Sequence, residues 1–121
     1  MSDAPLVQIR RALVEGVAVV DLLPREITEP EEAARMGAAL VAAFELGAAN
    51  PLLIDMAATR YLSSTAFAAL MKFGRDVRDV GGRVAICGMD PSVRLGANIL
   101  RLGQIVPIYE DEPTAIAALI V

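Results

Sequence analysis

The chain has no histidine and no tryptophan, a single cysteine, Cys87, and a single lysine, Lys72. Without histidine, the commonest general base and the usual zinc ligand are both missing. One cysteine excludes disulfides and Cys-x-x-Cys redox pairs, and its setting in RVAICGM reads as a small buried hydrophobe in a strand. Basic charge is scarce as well. The net charge is −4 and Arg10-Arg11 is the only adjacent basic pair. On a strand those two side chains point to opposite faces, so no phosphate-binding patch forms and nucleic acid is not an expected partner. Long apolar runs are also missing. The longest stretch without a charge is Tyr61 to Met71, well short of the roughly 20 residues that cross a bilayer. The start, MSDAPLVQIRR, lacks the apolar core of a signal peptide, so a cytoplasmic protein with no membrane insertion is expected.

What is present is a chain of 121 residues that is 55% hydrophobic, enough for one domain, residues 1–121, with its own core. Val7 to Leu13, the turn Glu15-Gly16, and Val17 to Leu23 read as a hairpin of β-branched strands. Thr28 and Glu31 form a capping box before a helix with apolar residues at Ala33, Met36, Leu40, Ala43 and Phe44, stopped by Gly47. Asn50-Pro51 is a break, and Leu52 to Asp55 is a continuous apolar run suited to a strand buried on both faces. A second helix follows over 65–82, with Phe67, Leu70, Met71, Val77 and Val80 at helical spacing and Gly81-Gly82 as its end. Arg83 to Cys87 is a strand. Asp90-Pro91-Ser92 opens a helix through Leu95, Ile99 and Leu102, ended by Gly103. Ile105 to Tyr109 is a last strand, and Pro113 to Leu119 a last helix. The order β-β-α-β-α-β-α-β-α predicts an α/β fold with a mixed sheet: mostly parallel strands and one antiparallel edge from the hairpin.

In open α/β sheets, function gathers beyond the carboxyl ends of the strands. There the sequence offers 61-YLSSTAF-67, three hydroxyls at the start of a helix. Ser63 or Ser64 can cap that helix. A phosphate on a first-turn serine would meet unpaired N–H groups and the positive dipole end. A nucleophilic role is weak, because Lys72 lies about two helical turns away from Ser64 and no other base is at hand. Asp55, within LLIDM, is similar to the phosphorylated aspartate of response-regulator receivers. That family's acidic pair after the first strand and lysine after the last are both missing, since Asp21 stands nearly alone and VPIYEDEP has no lysine. Asp55 is therefore read as a strand-end residue that orients the next loop. Phe67, Met71 and Phe73 read as helix packing, and Gly81, Gly82 and Gly88 lack the spacing of a phosphate loop.

Taken in order, several segments resemble the STAS domain family of anti-sigma factor antagonists, over about Val17 to Leu119. They are the hairpin start, 52-LLIDM-56 followed by Y-L-S-S, 67-FAALMKFGRDVRDVGGRVAICGMDPSV-93 and 99-ILRLGQIVPIYEDEPTAIAAL-119. The family's phosphorylation motif is Asp-Ser-Ser/Thr-Gly. Matched to it, Ser63 stands at the acid, Ser64 at the phosphate acceptor, Thr65 at the next hydroxyl and second-choice acceptor, and Ala66 at the glycine. The resemblance implies a partner-switching module without catalysis, cofactor or metal of its own. Its partners would be an anti-sigma factor that is also a serine kinase and a PP2C-type phosphatase, with Ser63, Ser64, Thr65, Asp21 and Asp55 as docking residues. A homodimer is left open. The serine at the acid position also fits a non-switching STAS subunit of a stress-signalling assembly or transporter complex. A small enzyme or nucleotide-binding protein on the same fold is a third reading, supported by no set of residues.

Overall fold

The computed structural model describes residues 6–9, 13–46 and 51–120. Arg10, Arg11, Gly47 and Asn50 lie outside the described residues. The main sheet has five strands in the order β1-β2-β4-β6-β7. β1 (Val7–Ile9) runs antiparallel to β2 (Ala18–Leu22). β4 (Leu52–Asp55), β6 (Val84–Cys87) and β7 (Ile108–Tyr109) follow in parallel. The hairpin turn is built as its residues suggest: Val14 and Val17 exchange both backbone hydrogen bonds. Glu15 and Gly16 between them take φ of 51° and 83°, the left-handed pair that matches strand twist in a two-residue turn.

The alternation of side chains along the central strands sorts the core into two layers. Val20, Leu22, Leu52, Ile54, Val84 and Ile86 point to the face covered by α1 (Pro30–Leu46), α2 (Ser64–Asp79) and α3 (Pro91–Ile99). Val17, Val19, Leu53, Ala85 and Cys87 point to the other face, which α4 (Glu112–Leu119) covers with Ala115, Ile116 and Leu119. A strand buried on both faces has no polar side to show, which is why LLID and VAIC read as unbroken apolar runs. Cys87 is buried, as expected.

Helix ends follow local chemistry, with corrections to the expected bounds. Pro30 is the first residue of α1, and Glu32, not Glu31, reaches back: its Oε1 accepts from the backbone N–H of Thr28 at 3.2 Å and of Glu29 at 3.0 Å. The capping box therefore sits one residue later than Thr28-Glu31, with Glu29 at the cap. Those hydrogen bonds hold the Glu32 carboxyl below the usual range. At the end of α2, Gly81 at φ 76° and Gly82 close the helix on the carbonyls of Arg78 and Val77. On α2 the buried residues include Phe73 and Gly74, whereas Val80 is exposed. α3 is stopped by Arg101 in the left-handed region, φ 59°, and not by Gly103, which lies within a 3-10 turn, Leu102–Gln104. Val93 and Ala97 are its buried residues, and Leu95 and Ile99 face outward. The same turn shortens the last strand. The N–H groups of Ile105 and Val106 both donate to Leu102 O at 2.9 Å, so they are not available to the sheet, and β7 is confined to Ile108–Tyr109. Two strands absent from the expected order, β3 (Glu26–Ile27) and β5 (Tyr61–Leu62), form a separate parallel pair.

Gly74 marks where α2 meets the segment after α3. A Cβ there would lie 2.4 Å from Val106 Cγ2 and 3.0 Å from Ile105 Cγ2. Gly74→Ala gains up to about 1 kcal/mol of helix propensity, but Val106 is buried and β-branched and cannot swing aside. Overpacking of this kind costs about 1–3 kcal/mol. A net loss of stability is expected, read as a lower urea midpoint at unchanged m-value.

Candidate functional site at the start of α2

The route from β4 to α2 is fixed bond by bond. Asp55, the last residue of β4, accepts the N–H of Ala57 on Oδ1 at 2.9 Å, and Met56 N–H donates to Cys87 O. Asp55 therefore does orient the loop after its strand. Thr59 is the only buried polar residue among those described. Its hydroxyl donates to Pro24 O at 2.8 Å. Arg60 and Tyr61 N–H both donate to Arg25 O, at 2.7 and 3.2 Å, and Ser63 N–H donates to Ile27 O at 2.9 Å. The ladder pairs Glu26 with Tyr61 and Ile27 with Leu62, burying the two aliphatic side chains. The segment before α1 is thus a template against which the segment before α2 is laid.

The three hydroxyls then take separate places. Ser63 is the N-cap: φ −69°, ψ 165°, with its Oγ accepting from Ala66 N–H at 3.1 Å. Its carbonyl takes the first helical bond, from Phe67 N–H at 3.0 Å. Ser64 and Thr65 are the first two residues of the helix and both are exposed. Ala66 is buried, so its methyl group belongs to the core. The first turn of α2 holds no acidic residue. The positive end of the helix dipole therefore carries no side-chain charge of its own.

The start of α3 is tied to the same place. Arg60 pairs with Asp90 at 3.0 Å, and Asp90 caps α3 by accepting from Ser92 N–H at 3.0 Å and from the Ser92 hydroxyl. The hydroxyl and backbone hydrogen bonds of Ser92, helped by the Arg60 charge, hold the Asp90 carboxyl below its ordinary value. Further along, a Cβ on Gly96 would lie 3.0 Å from the Phe67 ring, so α3 packs closely on the first turns of α2. The sequence reading missed Arg60 and Asp90 as a pair. The only signal was a cap residue in DPS, and no spacing rule links it to an arginine 30 positions earlier.

Asp21 and Asp55 are neighbours across β2 and β4. With Glu112 they form a group whose carboxylate oxygens lie within 4.8 Å of one another. They share the parity of Val19 and Leu53 and so belong to the face that α4 covers. The structure does not bring them together with Ser63, Ser64 and Thr65, which stand on the opposite side of the sheet at its same, carboxyl, end. Among the described residues, no helix is long and apolar enough to cross a membrane.

This arrangement defines a small mixed α/β module with a capped, hydroxyl-bearing helix start. The STAS domain model matches residues 8–115, and the chain belongs to the STAS domain family. Among solved structures it is similar to a candidate anti-sigma factor antagonist from Thermotoga maritima, at 18% identity over 94% of each chain and a TM-score of 0.76. It is also similar to an anti-sigma factor antagonist from Mycobacterium paratuberculosis, at 22% identity over 95% of each chain and a TM-score of 0.76. A third is the Bacillus cell fate determinant SpoIIAA in its phosphorylated form, at 18% identity over 93% of this chain and 97% of that one, TM-score 0.63. At these identities the likeness is one of fold. No curated protein matches the chain at the level of sequence.

Two measurements test the geometry. Ser63→Ala removes the cap and is expected to cost about 1 kcal/mol in chemical denaturation. Asp90 has a folded pKa below its unfolded one, so its contribution is present above the unfolded value and is lost as pH falls through the folded value. Its carboxyl resonance is expected to titrate below the ordinary value of about 3.9, and Asp90→Asn is expected to flatten that part of the acid loss of stability.

Proposed function

We propose that the protein is an anti-sigma factor antagonist-like binding module, switched by reversible phosphorylation of Ser64, with Thr65 as second-choice acceptor. The observation that carries this reading is the division of labour at the helix start: Ser63 commits its hydroxyl to the cap, while Ser64 stands exposed at the first helical position. A phosphate there would sit against unpaired backbone N–H groups and the positive dipole end, which favour it locally. The helix is not melted by the modification. The switch instead acts on what docks, because a dianion in a packed contact adds desolvation and like-charge repulsion. The unmodified form would bind an anti-sigma factor that is also an ATP-dependent serine kinase, and a PP2C-type phosphatase would reset it. A partner covering the carboxyl end of the sheet would meet Ser63, Ser64 and Thr65 on one side and Asp21 and Asp55 on the other. The working place of such a module is the cytoplasm.

A second reading rests on Ser63, which stands where the family motif has an acid. It keeps the fold and the docking but not the switch, as in a structural subunit of a larger assembly. Incubation with a serine kinase of the anti-sigma class and ATP, followed by phosphosite mapping, separates the two. Phosphate is expected on Ser64, at a much lower rate and only on Thr65 in Ser64→Ala, and faster transfer to Ser63→Asp. Ser64→Asp is expected to weaken binding of the partner. A Ser64→Ala protein that takes up phosphate at the wild-type rate sinks the assignment, and a Ser64→Asp protein that binds as wild type favours the second reading.

A further inference from the structure

The outer seam between α1 and α2 is an open apolar groove. A cavity of about 260 Å³ beside Gly37 and Ala69 continues into one of about 340 Å³ beside Phe44, Val77 and Val80, and the two share Val41, Phe73 and Asp76. Along α1 from Ala33 to Glu45 the groove is about 18 Å long, the length of a twelve-residue helix. Val80 at its end is 72% exposed, and Val41 along it is exposed too. Single exposed apolar residues need no explanation, but a cluster along a groove marks a binding surface.

The charge around the groove says what fits it. α1 and α2 each connect parallel strands of one sheet, so their C-terminal, dipole-negative ends lie at the same end of the domain. Glu45 is in the last turn of α1, where there is no basic residue, and Asp79 ends α2. An acid at that end opposes its own helix by about 0.3–1 kcal/mol. Lys72 and Asp76 both line the groove and neutralise each other at 2.7 Å, so its negative end is carried by Glu45, which lines it, and by Asp79 beside Val80. The Arg78 guanidinium is turned away to the carbonyls of Gln104 and Ile105. Carboxylates that cost their own helices, set around an apolar trough, suit a cationic occupant with an apolar face.

We propose that this groove docks an amphipathic helix of a partner protein. Its apolar face would fill the trough and its lysines or arginines would meet Glu45 and Asp79 at the dipole-negative end. The site lies along the middle and end of α2, and Ser64 lies at the start, so the proposal stands independently of the phosphorylation reading. The probe is a synthetic helix with leucines at i, i+3, i+4 and i+7 and lysines between them, compared with the same peptide carrying glutamates. In an amide-resolved NMR titration, the lysine peptide is expected to shift Val41, Phe44, Val77 and Val80. It should also bind at least about tenfold more tightly than the glutamate peptide. A Cβ on Gly37 would meet nothing within 4 Å, so Gly37→Leu fills the groove without touching the core. That variant and Val80→Lys are each expected to abolish binding with no loss of thermal stability. Equal binding of the two peptides, binding of neither, or shifts confined to other surfaces overturns the proposal. So does a concentration-dependent dimer of the chain that Val80→Lys breaks, since the groove would then be covered by a second copy.

Discussion

The placement of the candidate site depends on one hydrogen bond, from the hydroxyl of the buried Thr59 to the Pro24 carbonyl. A buried hydroxyl left without a partner would cost about 1–3 kcal/mol. Around that bond the backbone of 24–27 accepts from Arg60, Tyr61 and Ser63, so four donors hold one short segment against another. Each such bond is worth only about 1 kcal/mol net. Their collective effect is geometric: they set where residue 63 stops being extended and the helix begins, and hence which hydroxyl caps and which is left in solvent.

That placement changes how the missing acid is to be understood. An aspartate at position 63 could cap α2 as serine does, since both are strong N-cap residues. The aspartate would also complement the helix dipole with a full charge, which serine does not. A neutral cap leaves the dipole end uncompensated. It also removes a like charge from beside any phosphate on Ser64. On electrostatic grounds alone Ser63 would favour a phosphate on its neighbour more than an aspartate would, while offering a kinase less to recognise. Recognition and product stability thus pull in opposite directions at one position.

Much of the fold was legible because it obeys short-range rules. The doubly buried LLID and VAIC strands, the Glu15-Gly16 turn, the Gly81-Gly82 stop and the Asp90 cap each follow from local composition. The failures have a common cause in tertiary competition. Leu95 and Ile99 keep helical spacing yet face outward, because Gly96 and Ala97 let α3 sit close on Phe67 and take the inner face. Val106 has strand propensity, but its N–H is claimed by the 3-10 turn before it. β3 and β5 are two residues each, too short for periodicity to register, and they exist only because each supplies the other's hydrogen bonds. The site was legible as a trio of hydroxyls. The family resemblance set their positions in the motif, but local chemistry left the cap open between Ser63 and Ser64, since a one-residue shift of the helix start would have exchanged them. Asp21 and Asp55 show the limit of reading strand ends: sequence put them at the right end of the sheet, and side-chain parity put them on the other face.

α2 carries two surfaces of opposite character on one rigid rod. Its start has positive dipole, hydroxyls and no acid in the first turn; its end has negative dipole, Asp76, Asp79 and an apolar trough. Ser64 lies about 18 Å from Asp76 and about 23 Å from Asp79 along the axis, more than two Debye lengths at physiological salt. A dianion added at Ser64 is therefore screened from the acidic end, and charge alone does not couple the surfaces. Mechanical coupling is also limited. Phe67, Leu70, Phe73 and Val77 are locked between the sheet and α1 along the whole helix, and close-packed interiors do not slide continuously. A partner held at one end would leave the other free to bind and release, which is the behaviour a domain needs if it is to be anchored and switched at the same time.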